Sequence, residues 1–136
     1  PAPRGWPRGA GFLAGEPLYK YYVYFTPESQ PPEAIRAALG GIAGAALTQS
    51  SESNFELISD KTDKGTGLRI LAERLGVEPA HIMAVGDQLN DLPMIRYAGL
   101  GVAMGNASDT VRQAAAWVTG NNREDGAAKA IERFCL

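Results

Sequence analysis

Cysteine is almost absent from this chain. The single one, Cys135, stands next to the C-terminus. No internal disulfide can form, and this usage fits a reducing cytosol. Long apolar runs are absent too: none approaches the ~20 residues needed to span a bilayer. Excess charge of one sign is also missing. Thirteen Lys and Arg against fifteen Asp and Glu leave a formal charge of −2, which gives no reason to expect a nucleic acid or a membrane surface as partner. Arg4 and Arg8 are not followed by a continuous apolar core, so no signal peptide is read and a cytoplasmic location is expected. The chain starts at Pro1 instead of methionine. Either the initiator was removed or the chain is a piece of something longer.

What is present fits a packed α/β body. The 136 residues are 45% hydrophobic and 21% charged, enough for one domain or two small pieces. Residues 1–17, rich in Gly and Pro without a period, read as a tail or linker. Leu18–Phe25 is dense in aromatic and β-branched residues and reads as a strand with one packed aromatic face. Pro31–Leu39 reads as a helix stopped at Gly40-Gly41. Ala45–Ser50 and Asn54–Ser59 read as short strands. From Lys64 the rhythm changes to helices alternating with apolar strands, which indicates a parallel sheet with helices on its faces. The helices expected are Lys64–Leu75, Leu92–Ala98, one from Ser108 or Asp109 to about Ala115, and Asp125–Phe134. The strands expected are Ile82–Val85, Leu100–Ala103 and Ala116–Thr119. Leu68, Leu71, Ala72 and Leu75 share one helical face, as do Ala127, Ile131 and Phe134. Gly76 fits a C-terminal cap, with Val77 in the apolar position after it.

The chemistry concentrates in Gly86-Asp87-Gln88-Leu89-Asn90-Asp91, directly after the apolar run Ile82–Val85. Such a run delivers an acid to the C-terminal edge of a buried parallel strand, where ligands bind in open α/β sheets. Asp87 suits Mg²⁺ there, or caps the following turn. Asp91 can orient Asp87, the metal's waters or a lysine, or favour the positive helix end. Asn90 has donors for a phosphate oxygen, or is a turn residue. Lys64 at a helix N-terminus is electrostatically misplaced. A phosphate or carboxylate beside it would relieve that conflict, unless it is a solvated surface lysine. Gly65 and Gly67 allow close approach of a ligand, or loosen the helix start. The glycines from Gly99 to Gly105 do not form the loop after a strand that a dinucleotide fingerprint requires. Gly105-Asn106-Ala107 turns the chain beside the site. His81 has no evident partner.

Lys64-Gly65-Thr66-Gly67-Leu68, Gly86 to Ile95, Ala98 to Ala107 and Asn122-Arg123-Glu124-Asp125-Gly126 together resemble the haloacid dehalogenase superfamily. Within it they are most similar to the Cof-type (class IIB) sugar phosphatases. The likeness runs from about Phe55 to the C-terminus. It implies the C-terminal part of a Rossmann-like parallel sheet with helices on both faces (residues 61–136), preceded by part of an α/β cap (residues 18–60). It implies a Mg²⁺-dependent phosphatase acting on a small phosphorylated metabolite through an aspartyl-phosphate. By the same resemblance Lys64 is the catalytic lysine that neutralises nucleophile and phosphate, and Asn90 helps hold the phosphoryl group. Asp87 ligates Mg²⁺, and Asp91 is a supporting acid behind it.

The resemblance also exposes a gap. The family's nucleophile is the first aspartate of an early Asp-x-Asp motif. Residues 1–59 hold no aspartate, and Asp60, Asp63, Asp87, Asp91, Asp109 and Asp125 include no such pair. The expectation is a fragment that is inactive alone, whose strand Ile82–Val85 lacks its neighbour. Such an edge invites self-association or pairing with a missing N-terminal half. A non-catalytic phosphate- or metal-binding regulatory protein is the alternative. A receiver-like signalling domain is disfavoured, because its acids should precede the lysine.

Overall fold

The computed structural model describes residues 19–26, 32–51 and 53–136. The expected tail, Leu18 and Pro31 lie outside these. Two three-stranded sheets organise the rest, one antiparallel and one parallel.

The first sheet has the order β1-β3-β2, with β1 at Lys20–Tyr24, β2 at Ala45–Thr48 and β3 at Asn54–Ser59. The helix α1, Pro32–Leu39, connects β1 to β2. Antiparallel pairing sets Tyr22 and Thr48 opposite Glu56, and Lys20 and Ala46 opposite Ile58. Residues directly opposite share a face. One face therefore carries Lys20, Ala46, Thr48, Glu56 and Ile58. The other carries Val23, Phe55 and Leu57, and α1 lies on that side, with the Arg36 guanidinium 4.8 Å from the centre of the Phe55 ring. The Phe25 and Phe55 rings are 5.2 Å apart.

The tyrosines of β1 depart from the expected packed aromatic face. Tyr19, Tyr21, Tyr22 and Tyr24 are all exposed, and only Phe25 is buried. Among the described residues β1 is an edge strand, so its tyrosines have sheet on one flank only. Their phenols also keep a polar end in water.

The second part begins with α2, Lys64–Leu75. Asp63 caps it, its carboxylate accepting the Thr66 N–H at 2.6 Å. Gly76 closes it in the left-handed region at φ 66°, and the Val77 N–H reaches back to the Ala72 carbonyl. That is the glycine-terminated end expected from the sequence. The parallel sheet follows in the order β4 (Met83–Gly86), β5 (Leu100–Ala103), β6 (Trp117–Val118). Helices α3 (Leu92–Tyr97) and α4 (Asp109–Ala114) make the crossovers, and α5 (Gly126–Phe134) ends the chain. This is an α/β fold with a parallel sheet. Central β5 is buried on both faces. Ala103 joins Ile95, Ala107 and Val111 in the core, while Val102, pointing oppositely, is fully buried as well.

Two helical faces differ from expectation. Leu71 and Leu75 of α2 are 53% and 67% exposed, and the residues α2 buries are Gly65 and Ala72. On α5, Ile131 and Phe134 are 46% and 42% exposed, while Gly126 and Ala130 are buried. In both helices the small residues make the close contact. The large apolar ones remain partly exposed, with Phe134 set edge-on against the Trp117 ring at 5.1 Å. The strand β4 likewise pairs only with β5, which leaves its other edge open among the described residues. No helix among them is long and apolar enough to cross a membrane.

Candidate active site

The strand β4 runs into a turn at its C-terminal end, and the turn is organised by one carboxylate. Asp91 Oδ2 accepts the backbone N–H groups of Asp87 at 2.9 Å and Gln88 at 3.0 Å. In return the Asp91 N–H donates to the Gln88 backbone carbonyl at 2.9 Å. The alternative role for Asp87, capping this turn, is therefore taken by Asp91. Gly86 makes the arrangement possible: a Cβ there would collide with the Asp91 side chain.

The other oxygen of Asp91, Oδ1, pairs with Lys64 Nζ. The lysine sits at the first residue of α2, 27 positions earlier. It reaches Asp91 because the first turn of α2 lies directly on the start of α3. A Cβ on Gly65 would collide with the Pro93 backbone. Gly65 thus serves helix–helix approach and not ligand approach, and a Cβ on Gly67 would meet open space. The charge conflict of a lysine at a helix N-terminus is relieved by this carboxylate.

Asp91 is buried, with 5% of its side chain exposed, whereas Lys64 is half exposed. Burial pushes the Asp91 carboxyl up. Hydrogen bonds from Lys64 and the Gln88 and Asp87 N–H groups outweigh that, and the Lys64 charge adds to them. The carboxyl is held below its ordinary range. It stays an anion that fixes a cation and two amides.

Asp87 points elsewhere. Its Oδ2 accepts from Asn106 Nδ2 at 2.9 Å, and Asn106 Oδ1 accepts the Asn122 N–H at 2.9 Å. Asn106 thereby ties Asp87 to the loop after β6. Asn90 Oδ1 is buried and has no hydrogen-bond partner among the described residues. Asn90 and Lys64 line a cleft of about 480 Å³ between the two sheets, and its opposite wall includes Lys20, Thr48 and Glu56.

The donor set for a metal is partial. The described residues contain no cluster of three or more acidic, histidine or cysteine side chains able to hold an ion. Asp91 has both oxygens engaged, which leaves the Asp87 carboxylate. Mg²⁺ keeps several waters and is commonly held by one or two carboxylates plus substrate phosphate. Asp87 fits one share of such a shell.

Comparison with known proteins decides the family. Residues 12–131 match the haloacid dehalogenase-like hydrolases. The chain belongs to that family. Among curated haloacid dehalogenase-like relatives, the 5-amino-6-(5-phospho-D-ribitylamino)uracil phosphatase YcsE of Bacillus subtilis is 47% identical over 90 residues, 66% of this chain and 36% of that protein. A solved haloacid dehalogenase-like hydrolase from B. subtilis superposes with a TM-score of 0.78 at 37% identity, covering 92% of this chain and 44% of that one. A subclass IIB sugar phosphatase shares the fold at TM-score 0.79 and 24% identity, over 92% of this chain and 46% of its own. The chain thus spans about a third of that curated relative and under half of those solved structures.

Of the residues singled out in the sequence, Lys64 and Asp91 are in contact and Asn90 opens on the same cleft. Asp87 stands at the same strand end, bonded to Asn106 and not to Lys64. Sequence reasoning gave Asn106 only a turn. Its link to Asp87 crosses 19 residues, and the only local signal was an amide just past a strand's C-terminal end. Glu56 and Lys20 were not singled out at all. A carboxylate between Phe55 and Leu57 in a strand was the available sign. His81 ends a short 3₁₀ turn, Pro79–His81, and is exposed.

Proposed function

We propose that this chain carries the phosphate- and metal-binding share of a Mg²⁺-dependent phosphatase acting on monoesters of small phosphorylated metabolites. The nucleophilic aspartate would come from an Asp-x-Asp segment outside these 136 residues. The observation that carries the reading is the cluster at the C-terminal end of β4. There Asp91 ties Lys64 to the turn bearing Asp87, and Asn90 opens on the same cleft. Family membership and a relative named for a phosphorylated ribitylaminouracil support the substrate class.

In this reading Lys64 Nζ is the catalytic cation, with one N–H on Asp91 and the others toward the phosphoryl oxygens and the attacking carboxylate. Asn90 donates its amide N–H to a phosphoryl oxygen. Asp91 holds both Lys64 and the turn, so neither must reorganise when phosphate arrives. Asp87 supplies one carboxylate ligand for the metal, and Asn106 fixes its orientation. Bound magnesium would stabilise charge developing on the phosphoryl oxygens. The nucleophilic step needs an aspartate that this chain does not provide.

An assay with an aryl phosphate and Mg²⁺ tests the reading. The pure chain is expected to leave at most a residual roughly 10³–10⁴-fold acceleration over water, as in triad enzymes stripped of a catalytic member. Adding a polypeptide with the Asp-x-Asp half of a relative should restore turnover. Strong turnover by the chain alone would refute the need for an external nucleophile. Phosphate binding without rescue would favour a non-catalytic regulatory protein.

A further inference from the structure

The cap-side wall of the cleft contains an ion pair that the phosphate-binding cluster does not use. Lys20 and Glu56 lie on the same sheet face as Ala46, Thr48 and Ile58, and all five line the cleft. Lys20 Nζ donates to Glu56 Oε2 at 2.7 Å, and Ser50 Oγ donates to Glu56 Oε1. Asn54 Nδ2 in turn supports Ser50 at 2.9 Å. The Glu56 side chain is 6% exposed and the Lys20 side chain 49%. The carboxylate is therefore anchored from below while the ammonium stands at the surface of the cleft.

Charge and donor counts set what such a pair can bind. Burial pushes the Glu56 carboxyl up, but bonds from Lys20 and Ser50, the Lys20 charge and a bond from Asn54 hold it below the ordinary range. Glu56 is thus an anion with both oxygens engaged. An ammonium has three donors and no acceptor, and among the described residues Lys20 uses one, on Glu56. Two donors remain, on a residue that lines the cleft. An ion pair whose lysine is half exposed adds little to stability, so folding alone is a weak reason for it. Around it the wall is apolar, with Leu47, Ile58 and Leu89 among the lining residues.

We propose that Lys20, aimed by Glu56, recognises an acceptor oxygen at the end of the substrate remote from its phosphate. The half-site then prefers monoesters with an apolar body carrying a distal carbonyl or carboxylate oxygen. This rests on the phosphatase reading, since it takes Lys64 and Asn90 as the phosphate end of the same cleft.

A matched pair of probes tests it: phenyl phosphate and 4-carboxyphenyl phosphate, titrated calorimetrically into the full chain with Mg²⁺ present. The chain should bind the carboxylated ester about tenfold more tightly, the ratio that 1.4 kcal/mol of one charge-assisted bond yields. Inorganic phosphate should displace both. Lys20→Met should remove the preference and leave phenyl phosphate binding unchanged. Because Lys20→Met strands a buried carboxylate, the double variant Lys20→Met/Glu56→Gln is measured beside it, with circular dichroism to confirm folding. Lys64→Met should weaken both esters alike. Equal binding of the two esters by the unaltered chain, or a preference that survives in a folded Lys20 variant, overturns this inference alone. Failure to bind either ester, or no displacement by phosphate, overturns the phosphatase reading and this inference with it.

Discussion

Two carboxylates carry much of the polar organisation, and both are held as anions. Asp91 and Glu56 are each buried, paired with one lysine, and kept below the ordinary carboxylate range. A depressed pKa in the folded state contributes stability that is present above the unfolded value and lost as pH falls through the folded one. Chemical denaturation should therefore be level from pH 7 to about 5 and weaken below about pH 4, the ordinary carboxylate range. Asp91→Asn should cost about 1–2 kcal/mol at pH 7, a moderate figure because Lys64 is half exposed and can resolvate. It should also make the acid limb shallower. An acid limb identical in the two proteins would show that the Asp91 contacts contribute nothing. Asp91 was legible as an acid with several possible roles, among them holding a lysine. Which role holds depends on a contact spanning 27 residues, and local patterning carries no such information.

The elements were the most legible level, because periodicity and caps act locally. Lys64–Leu75 with its Gly76 end, and Leu100–Ala103, occur as expected. The faces were less legible. Leu68, Leu71, Ala72 and Leu75 share one helical face, and large apolar side chains at helical spacing usually meet a core. The helix instead turns Gly65 and Ala72 inward, trading side-chain volume for close backbone approach. The same trade operates at the end of β4. Gly86→Ala should destabilise the chain by about 1–3 kcal/mol, the usual cost of overpacking, since its Cβ meets Asp91. A thermal melt reads the stability. A loss of fold stability no larger than that of Gly67→Ala, whose Cβ meets open space, would show that the turn absorbs the methyl.

At the scale of the molecule the expected architecture is visible, and so is what it leaves uncovered. Among the described residues β4 has one open edge, and Leu71, Leu75 and Val77 lie exposed. Unpaired strand edges template association, so the pure chain is expected to scatter light as a dimer or larger species at micromolar concentration. A sharp monomer mass would contradict this. The open edge also gives pairing a direction. Lys64, Asp87 and Asn90 gather at one end of β4, so a strand docking in parallel brings its own C-terminal residue to them, and an antiparallel one carries it away. Side chains alternate along a strand at about 3.3 Å per residue. A slip of one position would turn an incoming carboxylate to the wrong face as well as displace it. Assembly and chemical competence would then be gated by register: of the many ways to cover the edge of β4, one alignment could make an active site.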